Sequence, residues 1–202
     1  TQKCLSCPPG LAPLTLNNRA LEVIKKRKTP CQSWYLDCTL IADYWKEGKR
    51  TYHHTAPISM AYALREALLL IHEEGLSVRF VRHQQNSQAL FAGLEKLGFS
   101  LVPDLQHSLP TLTCVTTPEW VDDKSMRSTL LQDYHIEVGG GLGPLAGKVW
   151  RIGLMGESST LNSVITLLDS IEKIHRTADQ SISLGEATKA ATNKYAATAP
   201  SK

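Results

Sequence analysis

One lysine near the start of the chain has the surroundings of a reactive amine. Lys3 stands among small and polar residues, and the turn-forming sequence Pro8-Pro9-Gly10 follows shortly after it. Because proline fixes φ and lacks a backbone donor, no helix can run on from Lys3, and we expect its amine to point into a cleft from a short irregular segment. Desolvation or a nearby cation lowers the pKa of a lysine amine, which makes it a nucleophile towards carbonyls. Taken alone, the segment favours an ordinary solvated lysine.

A second candidate is an arginine in the middle of an apolar segment. Arg151 lies between Val149 and Leu154, where the sequence predicts a strand. A guanidinium in such a strand is costly unless it has a partner. A ligand carboxylate bound by two parallel hydrogen bonds would be such a partner. An internal ion pair with Glu137 or Glu157 is the alternative, and the residues alone favour it.

Two hydroxyl side chains precede a predicted helix. Tyr52 and Thr55 lie on a loop that ends at Pro57, and proline suits the first turn of a helix. A helix N-terminus with hydroxyl groups nearby can bind an anion. The alternative is a tyrosine half-buried in the core and a threonine that caps the helix.

The histidines and cysteines favour neither a metal site nor a redox site. His53 and His54 are adjacent, so their side chains point in different directions, and no second histidine follows at metal-binding spacing. Cys4 and Cys7 form a CxxC, but no second pair completes a tetrahedral zinc site, and packing is favoured over redox chemistry. The five cysteines are odd in number and scattered, which favours a reducing compartment over a disulfide framework.

Three segments together resemble one enzyme family. They are Gln2-Lys3 with Pro8-Pro9-Gly10, then Tyr52-His53-His54-Thr55-Ala56-Pro57, then the glycine-rich Gly140-Gly141-Leu142-Gly143-Pro144 through Gly147 to Gly153. In this order and nearly this spacing, they resemble the C-terminal half of the alanine–glyoxylate (serine–pyruvate) aminotransferases. These are class V enzymes of fold type I that use pyridoxal 5'-phosphate. The resemblance runs from residue 1 to residue 178.

The resemblance implies a role for each candidate residue. Lys3 would form the internal Schiff base with the cofactor and then carry the proton between the substrate α carbon and the cofactor. Gln2 would hydrogen-bond the cofactor phosphate, and Arg151 would bind the substrate α-carboxylate. Tyr52 and Thr55 would reach across a homodimer interface to the phosphate of the neighbouring subunit's cofactor.

The implied reaction is transamination between alanine or serine and glyoxylate or pyruvate, so the partners would be small amino acids and 2-oxo acids. One alternative is an aminotransferase of the same family with another amino donor, such as 3-hydroxykynurenine. Another is a non-catalytic dimerisation or binding module that has kept the fold. The joint presence of Lys3, Arg151, Tyr52 and Thr55 argues against such a module, since packing alone gives no reason to keep them.

We also expect the chain to be part of a longer protein. It begins without a methionine, only two residues before Lys3. In the resembling family, the aspartate that pairs with the pyridinium nitrogen and most phosphate ligands precede the lysine. The 202 residues alone are therefore expected to be inactive or nearly so.

The rest of the sequence predicts an α/β protein, the C-terminal part of a fold type I transferase. Residues 1–75 would be the tail of the large cofactor-binding domain, and 76–178 a small C-terminal α+β domain. Helices are predicted at 19–28 with Asn17 as its cap, at 34–45, at 57–75, at 77–97, after Asp122, and after Ser158 or Ser159. Strands are predicted at 11–16 (an edge strand), 99–102, 112–116, 136–138 and 149–155. Residues 179–202 contain almost no large apolar side chain and are expected to be disordered.

Composition and charge exclude some partners. The net charge is only +3, and no basic stripe interleaves with aromatic residues, so we expect no nucleic-acid partner. No apolar run is long enough to span a bilayer, so we expect no membrane partner. The protein is expected to be intracellular, and the resembling family leaves peroxisome, mitochondrion and cytosol open. The ending Pro200-Ser201-Lys202 lacks the final leucine of the peroxisomal signal.

Overall fold

The structure, a computed structural model, describes residues 1–199 as two compact units. The N-terminal unit consists of Thr1 and Cys7–Arg65, and the C-terminal unit consists of Gln2–Ser6 and the chain from Glu66 onward. Lys3 therefore belongs to the C-terminal unit although it precedes the N-terminal unit in sequence. The domain boundaries predicted at residues 75 and 178 stay predictions.

The N-terminal unit contains short capped helices. The helices α1 (Asn18–Lys25) and α2 (Cys38–Trp45) are followed by the longer α3 (Ile58–Glu74), whose residues from Glu66 onward belong to the C-terminal unit. The strand predicted at 11–16 is wrong, since these residues are irregular. Asn17 caps α1 by accepting a hydrogen bond from the Ala20 amide at 2.9 Å, as predicted. Asp37 caps α2 in the same way through the Thr39 amide. Helix α3 begins directly after Pro57, in agreement with the preference of proline for helix starts.

The C-terminal unit packs helices against a small antiparallel sheet. Its elements in chain order are α4 (Leu76–Lys96), β1 (Ser100–Leu101), β2 (Leu112–Thr116), α5 (Asp123–Tyr134), β3 (Gly139–Gly140), β4 (Val149–Gly153), α6 (Leu161–Ala178) and α7 (Glu186–Ala197). The strand order is β1-β2-β4-β3, and each neighbouring pair is antiparallel. The predicted alternation of short strands and helices after α4 is observed, although the strand expected at 136–138 lies at Gly139–Gly140.

Successive side chains of β4 point alternately towards the core and towards the candidate site. Trp150 and Ile152 are buried and face the helices, where Leu90 of α4 and Leu168 of α6 are fully buried. Since successive side chains of a strand point to opposite faces, Arg151 lies on the other face of the sheet.

The expected disorder of residues 179–202 is wrong for Glu186–Ala197, which form helix α7. Ala187 and Ala191 are fully buried against the rest of the C-terminal unit. A Cβ on Gly93 of α4 would lie 2.9 Å from the Ala187 carbonyl oxygen, so the two helix backbones are very close. The segment was predicted to be disordered because its side chains are small, but small side chains permit this close packing. Residues 200–202 lie outside the described residues.

A buried carboxylate holds the start of α7. Glu172 of α6 is 1% exposed. Its Oε1 accepts a hydrogen bond from the Ala187 amide at 2.7 Å, and its Oε2 accepts one from the Gly185 amide at 2.9 Å. These bonds satisfy two of the amides that a helix N-terminus leaves without partners.

A row of polar side chains lies on one face of α4. Arg79, Arg82, His83 and Asn86 have the i, i+3, i+4, i+7 spacing that brings side chains together on a helix. Arg79, His83 and Asn86 are buried, and Arg82 is partly buried. We call these four residues the polar stripe. Buried polar groups need hydrogen-bond partners, and another segment must supply them.

The polar stripe binds the turn Gly156–Ser158 that follows β4. Arg82 donates through Nη1 to the carbonyl oxygens of Gly156 at 3.0 Å and Ser159 at 2.6 Å. His83 accepts the Gly156 N–H through Nε2 at 2.9 Å, and its Nδ1 lies 2.7 Å from a backbone carbonyl oxygen of α4. A neutral imidazole with its proton on Nδ1 satisfies both contacts. Asn86 donates to the Ser159 carbonyl oxygen at 2.8 Å.

Two carboxylates balance the two arginines of the polar stripe. Glu74, the last residue of α3, accepts from Arg82 Nη2 at 2.9 Å and from Arg79 Nη1 at 2.7 Å. Glu157 accepts from Arg79 Nη1 at 2.8 Å. The hydrogen bonds from Arg82 and then Arg79 lower the pKa of Glu74 from its ordinary 4.5 to about 2, although burial opposes this shift. The network therefore carries no net charge while Glu74 and Glu157 are ionised.

Replacing Glu172 with glutamine should lower the free energy of unfolding by about 1–3 kcal/mol, because the amide would turn a donor towards one of the two backbone N–H groups. Urea denaturation followed by circular dichroism measures the change. Glu119→Gln, at an exposed carboxylate outside the helices, is the matched control and should cost less than about 0.5 kcal/mol. Equal losses in the two variants would show that Glu172 does not hold α7.

Acid should weaken the C-terminal unit through Glu74. Its pKa is lower in the folded state than in the unfolded chain, so its stabilisation is complete above pH 4.5 and is lost as the pH falls to about 2. The shift corresponds to about 3 kcal/mol. Denaturation at pH values across this range should show a shallower pH dependence for Glu74→Gln than for the unmodified chain.

The neighbouring Glu73→Gln is the control for this acid experiment, since Glu73 is exposed. It should leave the pH dependence unchanged. The same slope in Glu74→Gln and in the unmodified chain would contradict the role of Glu74.

Candidate active site

Lys3 lies in a short turn with an unusual backbone conformation. Residues Lys3–Leu5 form one turn of 3-10 helix, in which the Ser6 amide donates to the Lys3 carbonyl oxygen at 2.9 Å. Lys3 has φ of 69° and Ser6 has φ of 55°, a region that residues other than glycine occupy uncommonly. Such a conformation costs about 1–3 kcal/mol and persists only where the surrounding structure imposes it. The side chain of Lys3 is exposed.

Gln2 directly precedes this turn. Its backbone is extended, its side chain is exposed, and that side chain does not cap the turn. The amide of Gln2 is therefore available to a ligand beside Lys3.

Arg151 lies between small neighbours on the open face of the sheet. Its strand partners are Cys114 on one side and Gly139 on the other. Its Nε donates to the Gly140 carbonyl oxygen at 2.8 Å, which fixes the plane of the guanidinium. A Cβ on Gly139 would lie 3.6 Å from Arg151 Nη2, so the glycine leaves space beside the guanidinium.

The internal ion pairs proposed as an alternative for Arg151 are not formed. Glu157 instead pairs with Arg79, and within residues 1–199 no carboxylate forms an ion pair with Arg151. The hydrogen bond to Gly140 uses Nε, which leaves Nη1 and Nη2 for an external acceptor. A half-buried guanidinium with two free nitrogens on one edge can bind a carboxylate by two parallel hydrogen bonds.

The structure brings the turn Lys3–Leu5, which we call the lysine turn, against the turn Gly156–Ser158 that follows the strand of Arg151. The Glu157 amide donates to Ser6 Oγ at 2.8 Å. Gly156 has φ of 60°, and a Cβ on it would lie 1.9 Å from Ser6 Oγ and 2.9 Å from the Cys4 carbonyl oxygen. Only glycine therefore allows the two turns to approach so closely. Gln2, Lys3 and Arg151 all belong to the C-terminal unit.

Tyr52 and Thr55 form a pair within the N-terminal unit. The Tyr52 hydroxyl lies 2.6 Å from Thr55 Oγ1, and both residues are exposed. Tyr52 is 66% exposed, which contradicts the alternative of a core tyrosine. The pair therefore presents hydroxyl groups to solvent on the loop before α3.

The two histidines beside them have packing roles. His53 is buried and stacks on Trp34 at a ring distance of 4.0 Å, and its Nε2 lies 3.1 Å from the Trp34 carbonyl oxygen. Its Nδ1 lies 2.6 Å from Nδ1 of His54. In the described part of the chain, no cluster of three or more histidines, cysteines or acidic residues is arranged to hold a metal ion.

The glycine-rich loop is a close-packed turn. A Cβ on Gly141 would lie 1.9 Å from the Leu145 carbonyl oxygen. Gly139 and Gly140 form β3 beside Arg151. The loop thus shapes the surroundings of Arg151.

Sequence reasoning missed the polar stripe. The available signal was the helical spacing of Arg79, Arg82, His83 and Asn86 on a helix that has an apolar core face further along. Their partners at Gly156–Ser159 lie more than 70 residues away, and spacing within a helix cannot identify them.

Comparison with known proteins identifies the family. No protein-family model matches the chain. The (S)-ureidoglycine–glyoxylate transaminase of Bacillus subtilis is 40% identical over 96% of this chain and 51% of its own length. The alanine–glyoxylate aminotransferase of Drosophila melanogaster is 40% identical over 92% of this chain and 47% of its own length.

A solved structure agrees with these relatives. The crystal structure of an alanine–glyoxylate aminotransferase from Nostoc has a TM-score of 0.79 and 50% identity, over 86% of this chain and 46% of that chain. The chain thus spans about half the length of the relatives it matches.

Within residues 1–199, no helix is long and apolar enough to cross a membrane. The predicted fold class is confirmed, because the matched structures are aminotransferases of the same α/β fold. In sequence and in fold, the chain corresponds to the C-terminal half of a class V, fold type I aminotransferase.

Proposed function

We propose that the protein containing this chain is a pyridoxal 5'-phosphate-dependent aminotransferase that passes an amino group from alanine or serine to glyoxylate or pyruvate. The observation that carries this proposal is the half-buried Arg151, which has no carboxylate partner among the described residues. The relatives support it, because both of those compared are named for glyoxylate as the acceptor.

The residues of this chain fit pyridoxal 5'-phosphate. Lys3 presents an exposed amine from a backbone whose φ of 69° is imposed by its surroundings. Its amine would hold the cofactor aldehyde covalently, and it would then accept and return the proton at the substrate α carbon. When bound, the cofactor supplies the electron sink for the carbanion that forms at this carbon.

Hydroxyl and amide groups would hold the cofactor phosphate. The exposed amide of Gln2 lies next to Lys3 in sequence and can donate to it. Tyr52 and Thr55 would donate their hydroxyls to the phosphate in the neighbouring subunit of a homodimer. Their exposure and mutual contact at 2.6 Å support a role outside the core of their own unit.

Arg151 would orient the amino acid. Its Nη1 and Nη2 would bind the two oxygens of the α-carboxylate, while the bond from Nε to Gly140 keeps the guanidinium plane fixed. Fixing the carboxylate directs the α hydrogen towards the lysine and so reduces the entropy cost of the proton transfer.

Ureidoglycine is a second candidate amino donor. The support is the 40% identity with the Bacillus subtilis transaminase named for it, over 96% of this chain. 3-Hydroxykynurenine remains the other alternative. A non-catalytic module is disfavoured, because packing alone accounts neither for the positive φ of Lys3 nor for an Arg151 guanidinium that pairs with no carboxylate of residues 1–199. The expected inactivity of the 202 residues alone stays a prediction.

Lys3 should carry the cofactor covalently in the complete gene product. Borohydride reduction after incubation with pyridoxal 5'-phosphate should fix the cofactor on the peptide that contains Lys3, as located by mass spectrometry. Lys3→Ala should lose both this label and the cofactor absorbance band, because no amine remains at that position. Lys28→Ala, an exposed lysine in a loop, is the control and should retain both. A label on a different lysine would contradict the assignment.

Arg151→Lys should raise KM for the amino donor by roughly 10–100-fold, because an ammonium group keeps the charge and loses the paired hydrogen bonds. Steady-state kinetics with alanine, serine and ureidoglycine, each against glyoxylate, measure the effect. Arg176→Lys, at an exposed arginine of α6, is the matched control.

A substrate that lacks the α-carboxylate serves as the reference for the test of Arg151. An amine that lacks the α-carboxylate should react equally poorly with the unmodified protein and with Arg151→Lys. If Arg151→Lys weakened the reaction of this amine as much as it weakens that of alanine, Arg151 would not bind the carboxylate.

A further inference from the structure

Arg79 reaches both sides of the candidate site from one buried position. It is 4% exposed. Its Nη2 donates to the Cys4 carbonyl oxygen at 3.0 Å, and its Nη1 donates to Glu157 Oε1 at 2.8 Å. Cys4 follows Lys3 directly, and Glu157 lies in the turn that follows the Arg151 strand. One guanidinium therefore joins the two segments that carry the predicted catalytic and substrate-binding residues.

The lysine turn depends on polar contacts for its position. None of the residues Lys3–Leu5 is fully buried; Lys3 is exposed, and Cys4 and Leu5 are only partly buried. Besides the close approach of Gly156, two hydrogen bonds join it to the rest of the described C-terminal unit, one from Arg79 to Cys4 and one from the Glu157 amide to Ser6. Arg79 also pairs with Glu157, so it influences both contacts.

The other members of the polar stripe hold a different partner. Arg82, His83 and Asn86 bind the backbone of Gly156 and Ser159, and this attachment does not involve Arg79. Loss of Arg79 would therefore leave the turn after β4 on its helix. The lysine turn would lose the donor to Cys4.

The charges that Arg79 leaves behind are tolerable. Glu74 keeps its hydrogen bonds to Arg82. The side chain of Glu157 is 50% exposed, so water can solvate it. A variant without the guanidinium should therefore still fold, although with reduced stability.

We propose that Arg79 is a positioning residue, which fixes the backbone at Lys3 and so places the Lys3 amine relative to Arg151. This inference rests on the proposed role of Lys3 as the cofactor lysine. The glutamine variant removes the forked donor while keeping a polar side chain of similar length. Arg82→Gln is the matched control, since Arg82 belongs to the same network and makes no contact with the lysine turn.

Amide hydrogen exchange in the complete gene product without cofactor tests the positioning directly. The Ser6 amide, which donates to the Lys3 carbonyl oxygen, should exchange faster in Arg79→Gln than in Arg82→Gln. The amides of helix α4 should be affected similarly in both variants. Equal exchange at Ser6 in the two variants would overturn the proposal.

Kinetics with bound cofactor provide the second measurement. Arg79→Gln should lower kcat by roughly tenfold or more with little change in the KM of the amino donor, because a displacement of about 1 Å can cost up to a hundredfold while Arg151 is intact. Arg82→Gln should leave kcat within about threefold despite a comparable loss of stability. If kcat follows the loss of stability in both variants, Arg79 is only a structural residue.

The outcomes separate this inference from the proposed function. If Lys3 is not the cofactor lysine, borohydride leaves the Lys3 peptide unlabelled in the unmodified protein. If only the role of Arg79 is wrong, that label forms and the two glutamine variants behave alike. Should Arg79→Gln fail to fold, Arg79→Lys replaces it: the lysine keeps the charge and loses the fork, so faster Ser6 exchange supports the proposal and unchanged exchange overturns it.

Discussion

The contact between two turns, around Gly156, is the constraint on which the rest of the C-terminal unit depends. Gly156 lies so close to Cys4 and Ser6 that a single added carbon would overlap Ser6 Oγ. This contact requires a glycine with positive φ on one side and a lysine turn with positive φ on the other. Neither conformation is favourable for the isolated chain. Gly156 is held by Arg82 and His83 through its backbone, and the lysine turn is held by Arg79 through the Cys4 carbonyl oxygen.

The ionic network suits precise placement better than it suits stability. Removing charged groups from water is expensive, and the paired contacts of Arg79 and Arg82 with Glu74 and Glu157 offset that expense without a large surplus. An apolar cluster of the same size would stabilise the unit at least as well. Hydrogen bonds with fixed directions, however, also define where the Cys4 carbonyl lies, and hence where the lysine turn lies.

The sequence predicted local features well and distant contacts poorly. The cap at Asn17, the helix start after Pro57 and the strand Leu112–Thr116 depend on neighbouring residues, and the structure shows all of them. Helix α7 was missed because its stability comes from close packing on Gly93 rather than from large apolar side chains. The polar stripe was missed because its partners are more than 70 residues distant.

Arg151 differs from the other buried or partly buried arginines of its unit in its ion pairing, which is the basis of the role proposed for it. Arg79, Arg82 and Arg127 each pair with a carboxylate of this chain, and Asp123 serves Arg127 while also accepting from the Trp150 indole. Within the described residues, the Arg151 guanidinium donates only to the Gly140 carbonyl oxygen. Residues 1–199 supply carboxylates to these three arginines and none to Arg151, which supports the proposed binding role. The proposed ligand, an α-carboxylate, has the charge and the geometry that would pair with this guanidinium.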